Sequence, residues 1–321
     1  MMSTPNVLQA ILQAEQHIRP YIRTTPLEHS LHFSHITRSQ VFLKLENLQT
    51  TGSFKVRGAM NALLSLTQEQ RDMGVVTASS GNHGIAVAYG LNTLKMNGTI
   101  FVPENTSSAK VAAIRNYGVD IRFWSTDCLE TEKYARAYAE QHNMLYISPY
   151  NDLHVIGGQG TIGVELSRQI KNIDIVLVAV GGGGMISGIA GYLKTVFPQT
   201  EIIGCSPVNS PVMAISIQAG YLLDMESLPT LSDGTAGGIE HDSITFPLCQ
   251  KLVDDYILVS EDEIRQATRQ FIETHHMLIE GSAGVPLAAL GKMPERFEGK
   301  TVVIVLCGAN ISLETLQSVI S

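Results

Sequence analysis

The chain has 321 residues, of which 44% are hydrophobic and 16% are charged. This length exceeds the usual size of a single core, so it predicts either two domains or one large α/β domain with an insertion. The net charge of -8 argues against nucleic acid as a partner, because phosphate contacts need clustered Lys and Arg. The cysteines, Cys128, Cys205, Cys249 and Cys307, are spaced neither as CxxC pairs nor as zinc ligands, which favours reduced thiols in a cytoplasmic protein.

The sequence predicts neither a secretory signal peptide nor a membrane-spanning helix. The first six residues lack a basic region followed by an apolar one, so no signal peptide is predicted. The segment 173–193 has Asp174 as its only charge and is long enough to cross a bilayer. Its centre is a glycine run, and its valines favour a strand, so a buried strand, a loop and a packed helix are predicted instead.

Apolar segments that predict strands alternate with segments that predict helices along almost the whole chain. The predicted strands are 41–45, 74–78, 99–102, 120–124, 145–148, 173–180, 201–205 and 301–306. Such alternation is typical of an α/β protein with parallel sheets covered by helices on both faces. Ligands of such sheets bind at the carboxyl ends of the strands.

The first motif in chain order is SFKVRGA at residues 53–59. It places the amine of Lys55 at the start of a predicted helix, behind a Thr-Gly-Ser turn. A lysine in that position can act as a nucleophile towards a carbonyl group. A solvated surface charge is the alternative for this motif taken alone, and Arg57 is interpreted as structural.

A second motif, SSGNHG at residues 79–84, follows a predicted strand and opens a helix. The backbone N–H groups at a helix start have no partner within the helix and can receive a carboxylate. The alternative is simple capping of the helix by Ser80 or Asn82.

A third motif is the glycine run Gly181, Gly182, Gly183 and Gly184, which precedes Met185. Successive N–H groups can converge there on an anion at a helix start, and glycine lets the backbone approach a phosphate. The dinucleotide pattern G-x-G-x-x-G fails, since its sixth position would be Ile186 or Ser187. The run therefore favours a terminal phosphate over a pyrophosphate.

These three motifs, in this order and spacing, resemble those of the pyridoxal-phosphate enzymes of fold type II, particularly the threonine/serine dehydratase and serine racemase group. The resemblance spans nearly the whole chain and includes GQGT at 158–161, DGTAGG at 233–238, EGSAG at 280–284 and CGAN at 307–310. It implies two parallel-sheet domains of the tryptophan synthase beta-like architecture. The small inserted domain is expected at 72–150, and the large cofactor-binding domain at 1–71 and 151–321.

The resemblance also implies roles around the cofactor, pyridoxal 5'-phosphate. Lys55 would form the Schiff base and act as base at the substrate Cα, which requires a pKa lowered by burial. Phe54 would pack on the cofactor ring, or it is a plain core aromatic. Asn82 would bind the ring hydroxyl, and the glycine run with Met185 would hold the phosphate. Cys307 would be the neutral neighbour of the pyridine nitrogen, or it is an ordinary buried cysteine.

On the substrate side, the resemblance points to the SSGNHG loop. Ser79, Ser80, Asn82 and His83 would receive the substrate carboxylate. Ser80 matches the position that serves, in racemase-type members, as acid and base on the face opposite the lysine.

Two departures from the family pattern affect what is expected of the site. Many relatives carry an acidic metal ligand where this chain has Ser206, so no metal is predicted there. Many relatives also carry Asp after an aromatic residue where this chain has Tyr150 and Asn151. These two residues either border the substrate side chain or form an interdomain turn.

The sequence thus predicts a pyridoxal-phosphate-dependent dehydratase that eliminates the β-hydroxyl of a hydroxy amino acid, with L-threonine and L-serine first. Serine racemase, threo-3-hydroxyaspartate dehydratase and the hydroxyectoine-utilisation dehydratase are the alternatives within the same chemistry. A non-catalytic cofactor- or ligand-binding protein is the alternative of another class. A homodimer or homotetramer is expected, with small-molecule amino acids as substrates and no membrane partner.

Overall fold

The computed structural model describes residues 6–321. The absence of a signal peptide was predicted mainly from residues 1–5, which lie outside the described residues. Two sheets organise the rest of the chain. The strands are β1 Leu27–His29, β2 Gln40–Lys44, β3 Val75–Ala78, β4 Gly98–Val102, β5 Asp120–Phe123, β6 Leu145–Tyr146, β7 Ile175–Ala179, β8 Glu201–Pro207, β9 Asp255–Val259 and β10 Thr301–Val305.

Helices fill the intervals between strands, as the alternation predicts. They are α1 Val7–Ile18, α2 Leu31–Thr37, α3 Lys55–Leu64, α4 Gln68–Met73, α5 Asn82–Leu94, α6 Ser108–Arg115, α7 Cys128–Gln141, α8 Leu153–Gln169, α9 Gly184–Val196, α10 Val212–Ala219, α11 Thr245–Leu252, α12 Glu261–His275, α13 Gly281–Lys292, α14 Pro294–Phe297 and α15 Leu313–Ile320. Short 3-10 helices cover Arg19–Tyr21, Glu46–Leu48 and Asp233–Thr235.

The larger sheet has six strands in the order β1-β2-β10-β7-β8-β9, and the smaller has four in the order β5-β4-β3-β6. Every pairing is parallel except β1 with β2. The α/β class with parallel sheets is therefore confirmed, with one antiparallel edge strand that was not predicted. All four strands of the smaller sheet lie between residues 75 and 146. The domain boundaries at 72 and 150 stay a prediction.

Burial explains why the strands form where they do. The central strand β7 is buried along its whole length, and its side chains join an apolar cluster between the larger sheet and its helices. Such a continuous apolar run is typical of a parallel strand covered on both faces. In the smaller sheet, Val75 packs with residues of α3 and α5. The helix that begins at Lys55 is thus held by the core beside the smaller sheet.

Candidate active site

Lys55 is positioned by the end of β10. Ser53 forms an isolated bridge with Gly308, and the N–H of Phe54 donates to the carbonyl of Cys307 at 3.0 Å. Helix α3 then begins at Lys55, whose Nζ donates to the carbonyl oxygen of Pro149 at 2.9 Å. The lysine therefore joins the carboxyl end of the larger sheet to the segment that follows β6.

The surroundings of Lys55 favour a neutral amine. Burial lowers its pKa from 10.5 to about 8, and the nearby Cys307 and Glu280 only partly oppose this shift. The Nζ atom lies 5.3 Å from the centroid of the Phe54 ring. A lysine with this pKa can be a nucleophile and a base near neutral pH.

The surroundings of Arg57, two residues after Lys55, indicate that it has a structural role. Its fully buried guanidinium donates to Glu46 at 2.7 Å and to Glu165 at 2.8 Å, and Lys44 donates to Glu165 at 2.5 Å. Although burial alone would raise it, the Arg57 and Lys44 cations hold the pKa of Glu165 well below its usual range. This buried network fixes α3 to β2 and α8, and thereby fixes the backbone that carries Lys55.

The glycine run follows β7 and leads directly into α9, as predicted. Within residues 6–321, the backbone N–H groups from Gly182 to Ile186 have no hydrogen-bond acceptor. Gly183 has φ 83°, a left-handed conformation that glycine adopts without strain. Open N–H groups at the start of a 13-residue helix form an anion cradle, because the helix dipole favours the same charge. A terminal phosphate fits this cradle, and the Met185 side chain packs in the core, which leaves only its backbone for such contact. The phosphate-binding role of the glycine run and Met185 stays a prediction.

Tyr150 closes the cradle on one side. A Cβ added at Gly182 would lie 2.5 Å from the Tyr150 ring, and one at Gly184 would lie 3.0 Å from Tyr150 backbone and side-chain atoms. The Tyr150 hydroxyl accepts from the N–H of Glu240 at 3.0 Å, and Asn151 donates to the Glu240 carboxylate at 2.8 Å. Tyr150 and Asn151 therefore form a packed turn that connects the glycine run to the segment around Glu240. A role in bordering the substrate side chain stays a prediction.

The SSGNHG loop follows β3, and α5 begins at Asn82. Ser79 accepts the N–H of Gly81 at 3.2 Å, whereas Ser80 makes no side-chain hydrogen bond within residues 6–321. The Nε2 atom of His83 lies 3.0 Å from the carbonyl of Ile147, and its Nδ1 is buried without a partner in the same range. Burial and the nearby Lys55 lower the pKa of His83 to about 3, so its ring is neutral. Because a carbonyl can only accept, Nε2 carries the hydrogen and Nδ1 is left as an acceptor.

Asn82 is oriented by two neighbours. Its Nδ2 donates to both carboxyl oxygens of Glu280 at 2.9 Å, and its Oδ1 accepts from Asn310 at 2.6 Å. Both ends of the amide are thus engaged within the protein, so contact with a cofactor hydroxyl requires a shared hydrogen bond. That role of Asn82 stays a prediction.

Cys307 follows β10 and is buried with its Sγ 3.7 Å from Oε1 of Glu280. Burial, reinforced by Glu280, raises the pKa of the thiol well above its usual value of 9.0. The thiol therefore keeps its hydrogen and is neutral. This state suits a site that holds an uncharged partner beside a pyridine nitrogen.

The structure brings most of the predicted residues together at the carboxyl ends of the two sheets. Backbone contacts link Phe54 to Cys307, and Lys55 reaches Pro149 next to Tyr150. Sequence reasoning missed Glu280 as a site residue, although its EGSAG motif was part of the resemblance. The signal available was a carboxylate placed directly before a glycine-opened helix.

Nothing in the described part of the chain gathers three or more His, Cys, Asp or Glu side chains around a possible metal position. Ser206, at the position where many relatives have an acidic residue, donates to the carbonyl of Val180 at 3.1 Å. Among residues 6–321, no helix is both long and apolar enough to span a bilayer.

Comparison with known proteins agrees with this geometry. Residues 18–308 match the family described as pyridoxal-phosphate dependent enzymes. The chain is 39% identical over 314 residues to the catabolic L-threonine dehydratase of Staphylococcus aureus, covering 97% of this chain and 90% of that protein.

Two solved structures share the fold over nearly their whole length. Maize serine racemase has a TM-score of 0.91 and 32% identity, with 97% of this chain and 95% of that chain covered. The processed form of threonine deaminase isoform 2 from Solanum lycopersicum has a TM-score of 0.93 and 32% identity, with coverage of 99% and 93%.

These likenesses define a fold type II pyridoxal-phosphate enzyme. The chain belongs to the family of pyridoxal-phosphate dependent enzymes. The predicted cofactor and enzyme class are confirmed.

Proposed function

We propose that the protein eliminates the β-hydroxyl of a hydroxy amino acid, most readily L-threonine or L-serine, and releases a 2-oxo acid and ammonia. The observation that carries the proposal is the buried amine of Lys55, whose pKa burial lowers to about 8 and whose Nζ contacts the carbonyl of Pro149, next to the Tyr150 ring that packs on Gly182. The 39% identity to a catabolic L-threonine dehydratase supports the same reaction.

In this proposal the cofactor is held by residues from several elements. The backbone of Gly181, Gly182, Gly183, Gly184 and Met185 holds the phosphate, and Phe54, Asn82 and Cys307 surround the ring. When bound, pyridoxal phosphate withdraws electrons from the substrate Cα and acidifies its proton.

Lys55 moves the proton in the committing step. Its Nζ, once neutral, takes the proton from Cα, and the β-hydroxyl takes up one proton and leaves the adjacent carbon as water, so this step removes one molecule of water in total. A pKa of about 8 leaves a useful fraction of the amine neutral near neutral pH, whereas an ordinary lysine would be almost fully protonated. In the protein without cofactor, the Pro149 carbonyl holds the amine in place.

The start of α5 orients the substrate. We assign Ser79, Ser80, Asn82 and His83 to the substrate, whose carboxylate the open end of the helix attracts. His83 contributes as a neutral ring with Nδ1 as acceptor, so it suits a donor group of the substrate rather than the carboxylate itself.

The neutral thiol of Cys307 favours elimination over transamination. A carboxylate in direct contact with the ring nitrogen would stabilise the protonated nitrogen, and the developing charge would then spread over the ring. A neutral group keeps the ring a weaker electron sink, which favours prompt loss of the β-substituent.

The test is 2-oxo acid release by cofactor-loaded protein from L-threonine, L-serine, threo-3-hydroxyaspartate and a hydroxyectoine-derived hydroxy amino acid. Lys55→Ala is the control. A preferred substrate whose turnover is lost in the control supports the dehydratase. Release of no oxo acid from any of them contradicts it, and cofactor binding without any product supports the non-catalytic alternative.

Racemisation is a second candidate, supported by the free hydroxyl of Ser80 and by the likeness to maize serine racemase. Ser80 would then return a proton to Cα from the face opposite Lys55. Ser80→Ala should abolish formation of D-serine and spare elimination of L-serine. Equal loss of both activities would contradict this assignment.

Assembly and location complete the proposal. A homodimer or homotetramer is checked by sedimentation equilibrium of the cofactor-loaded protein. A cytoplasmic location is supported by four cysteines that are all free.

A further inference from the structure

Glu280 is a carboxyl group built into the site by its neighbours. It precedes α13, its backbone N–H donates to the carbonyl of Gly308 at 3.0 Å, and Asn82 donates to both its oxygens at 2.9 Å. A Cβ at position 308 would lie 2.7 Å from Oε1 of Glu280. Glycine at position 308 therefore permits the carboxyl to approach the end of β10.

The hydrogen bond between Glu280 and Cys307 can run in either direction. The thiol carries one hydrogen, and Sγ lies 3.7 Å from Oε1. If Glu280 is ionised, the thiol donates to it, and a sulfur lone pair is left to face the cofactor site. If Glu280 is protonated, its O–H can donate to sulfur, and the thiol hydrogen is free to turn towards the cofactor site.

Glu280 can exchange a proton with solvent through a neighbouring cavity. The cavity has a volume of about 260 Å³ and is lined by Glu280 and Asn310. Its other lining residues include Lys110 and Asp233, whose side chains are 39% and 64% exposed. Water in the cavity can therefore deliver a proton to the carboxyl and remove it again.

The titratable groups around Glu280 come from five parts of the chain. Asp233 lies in a 3-10 helix, Cys307 follows β10, and Lys55 begins α3, while Lys110 of α6 and Glu314 of α15 line the same cavity. Burial, with help from Asp233, raises the pKa of Glu280 to about 7, against the opposing hydrogen bond from Asn82. The carboxyl therefore changes its protonation in the physiological range.

We propose that Glu280 is a positioning residue that sets, by gaining or losing one proton, the direction in which Cys307 presents its hydrogen to the ring nitrogen of the cofactor. The inference rests on the proposed function, in which Cys307 borders that nitrogen. One proton moves from cavity water to a Glu280 oxygen, and the thiol reorients without changing its own charge. Protonated Glu280 lets the thiol donate to a neutral ring nitrogen, which deepens the preference for elimination.

The test is the infrared S–H stretching band of the cofactor-loaded protein without substrate. It is recorded at about pH 6 and at about pH 8, which lie below and above the pKa of Glu280. The Cys307 band, identified by its loss in Cys307→Ala, should shift between the two conditions. In Glu280→Gln, which still accepts from Asn82, the band should stay fixed. Glu314→Gln is the matched control, because Glu314 lines the same cavity without a hydrogen bond to Glu280, and the shift should persist there.

An identical pH shift in Glu280→Gln, or a band that does not move in the native protein, would overturn the proposal. This readout needs no turnover. If the band shifts as described but the protein releases no oxo acid, the proposed role of Glu280 is supported and the dehydratase function is contradicted.

Discussion

Lys55 Nζ donates to the carbonyl oxygen of Pro149 at 2.9 Å, so the amine is anchored to the residue directly before Tyr150. The Tyr150 ring in turn packs over Gly182. One short segment after β6 therefore positions both the lysine and the phosphate cradle. A change in that segment is expected to affect cofactor capture and proton transfer together.

The low pKa of Lys55 predicts how cofactor capture depends on pH. Only the neutral amine attacks an aldehyde, so capture of pyridoxal phosphate by cofactor-free protein should quicken about tenfold per pH unit and level off near 8. Stopped-flow absorbance measures this rate. Lys55→Arg is the control and should show no capture. A rate that keeps rising towards 10.5, the ordinary value for lysine, would contradict the buried environment.

The glycine cradle predicts a difference between two glycine substitutions. Gly182→Ala places a methyl group 2.5 Å from the Tyr150 ring, and overpacking of this kind costs about 1–3 kcal/mol. We expect affinity for pyridoxal phosphate to fall by between about fivefold and about 150-fold in a fluorescence titration. Gly291→Ala, in α13 with no neighbour within 4 Å, should bind the cofactor normally. Equal affinities in the two variants would refute the close packing of the cradle.

The buried network around Arg57 predicts a large loss of stability. Arg57→Met leaves the buried Glu46 without its cation, while Glu165 keeps Lys44 and Arg19. Breaking a buried pair in this way costs about 3–5 kcal/mol. Urea unfolding of the cofactor-free protein measures the change. The matched control is Arg269→Met, which removes a helix-surface pair whose side chains are 49% and 61% exposed. That control should cost less than about 1 kcal/mol, and a similar cost in both variants would contradict the network.

The raised pKa of Glu280 predicts the sign of a stability difference. In the folded state the pKa of Glu280 is about 7, whereas the ordinary pKa of Glu is 4.5. The contribution of Glu280 to the free energy of unfolding is therefore fully present below about pH 4.5. As the pH rises through about 7 this contribution is lost, by on the order of 3 kcal/mol.

Glu280→Gln cannot ionise, so its stability relative to the native protein should increase from about pH 5 to about pH 8. Thermal unfolding of the two cofactor-free proteins measures the gap at each pH. A gap that does not change with pH would show that Glu280 is not shifted.

Much of the fold could be predicted because its signals are local. All eight predicted strands are present within a few residues, since runs such as that around Val176 are apolar and β-branched. Strands β1 and β9 were missed. The three residues of β1 are half-buried or exposed, and β9 alternates buried with more exposed residues, so neither presents a continuous apolar run.

The candidate site was predictable where a motif carries its own chemistry, as at Lys55 and the glycine run. Glu280 was not, because its proximity to Cys307 depends on the approach of α13 to the end of β10. The one local signal, a carboxylate directly before a glycine-opened helix, does not reveal that approach. The engagement of Asn82 by Glu280 and Asn310 was missed for the same reason, since these three residues are far apart in the chain. The tertiary contacts that orient a site are the part that spacing alone does not reveal.

The central claim is that the Lys55 amine moves the Cα proton during elimination. The most direct measurement is 2-oxo acid release from L-threonine by cofactor-supplemented Lys55→Ala protein, with and without added methylamine. The account predicts a loss of at least about a thousandfold, in line with removal of a general base, and partial restoration by the added amine. A Lys55→Ala protein that turns over L-threonine at the native rate would contradict it.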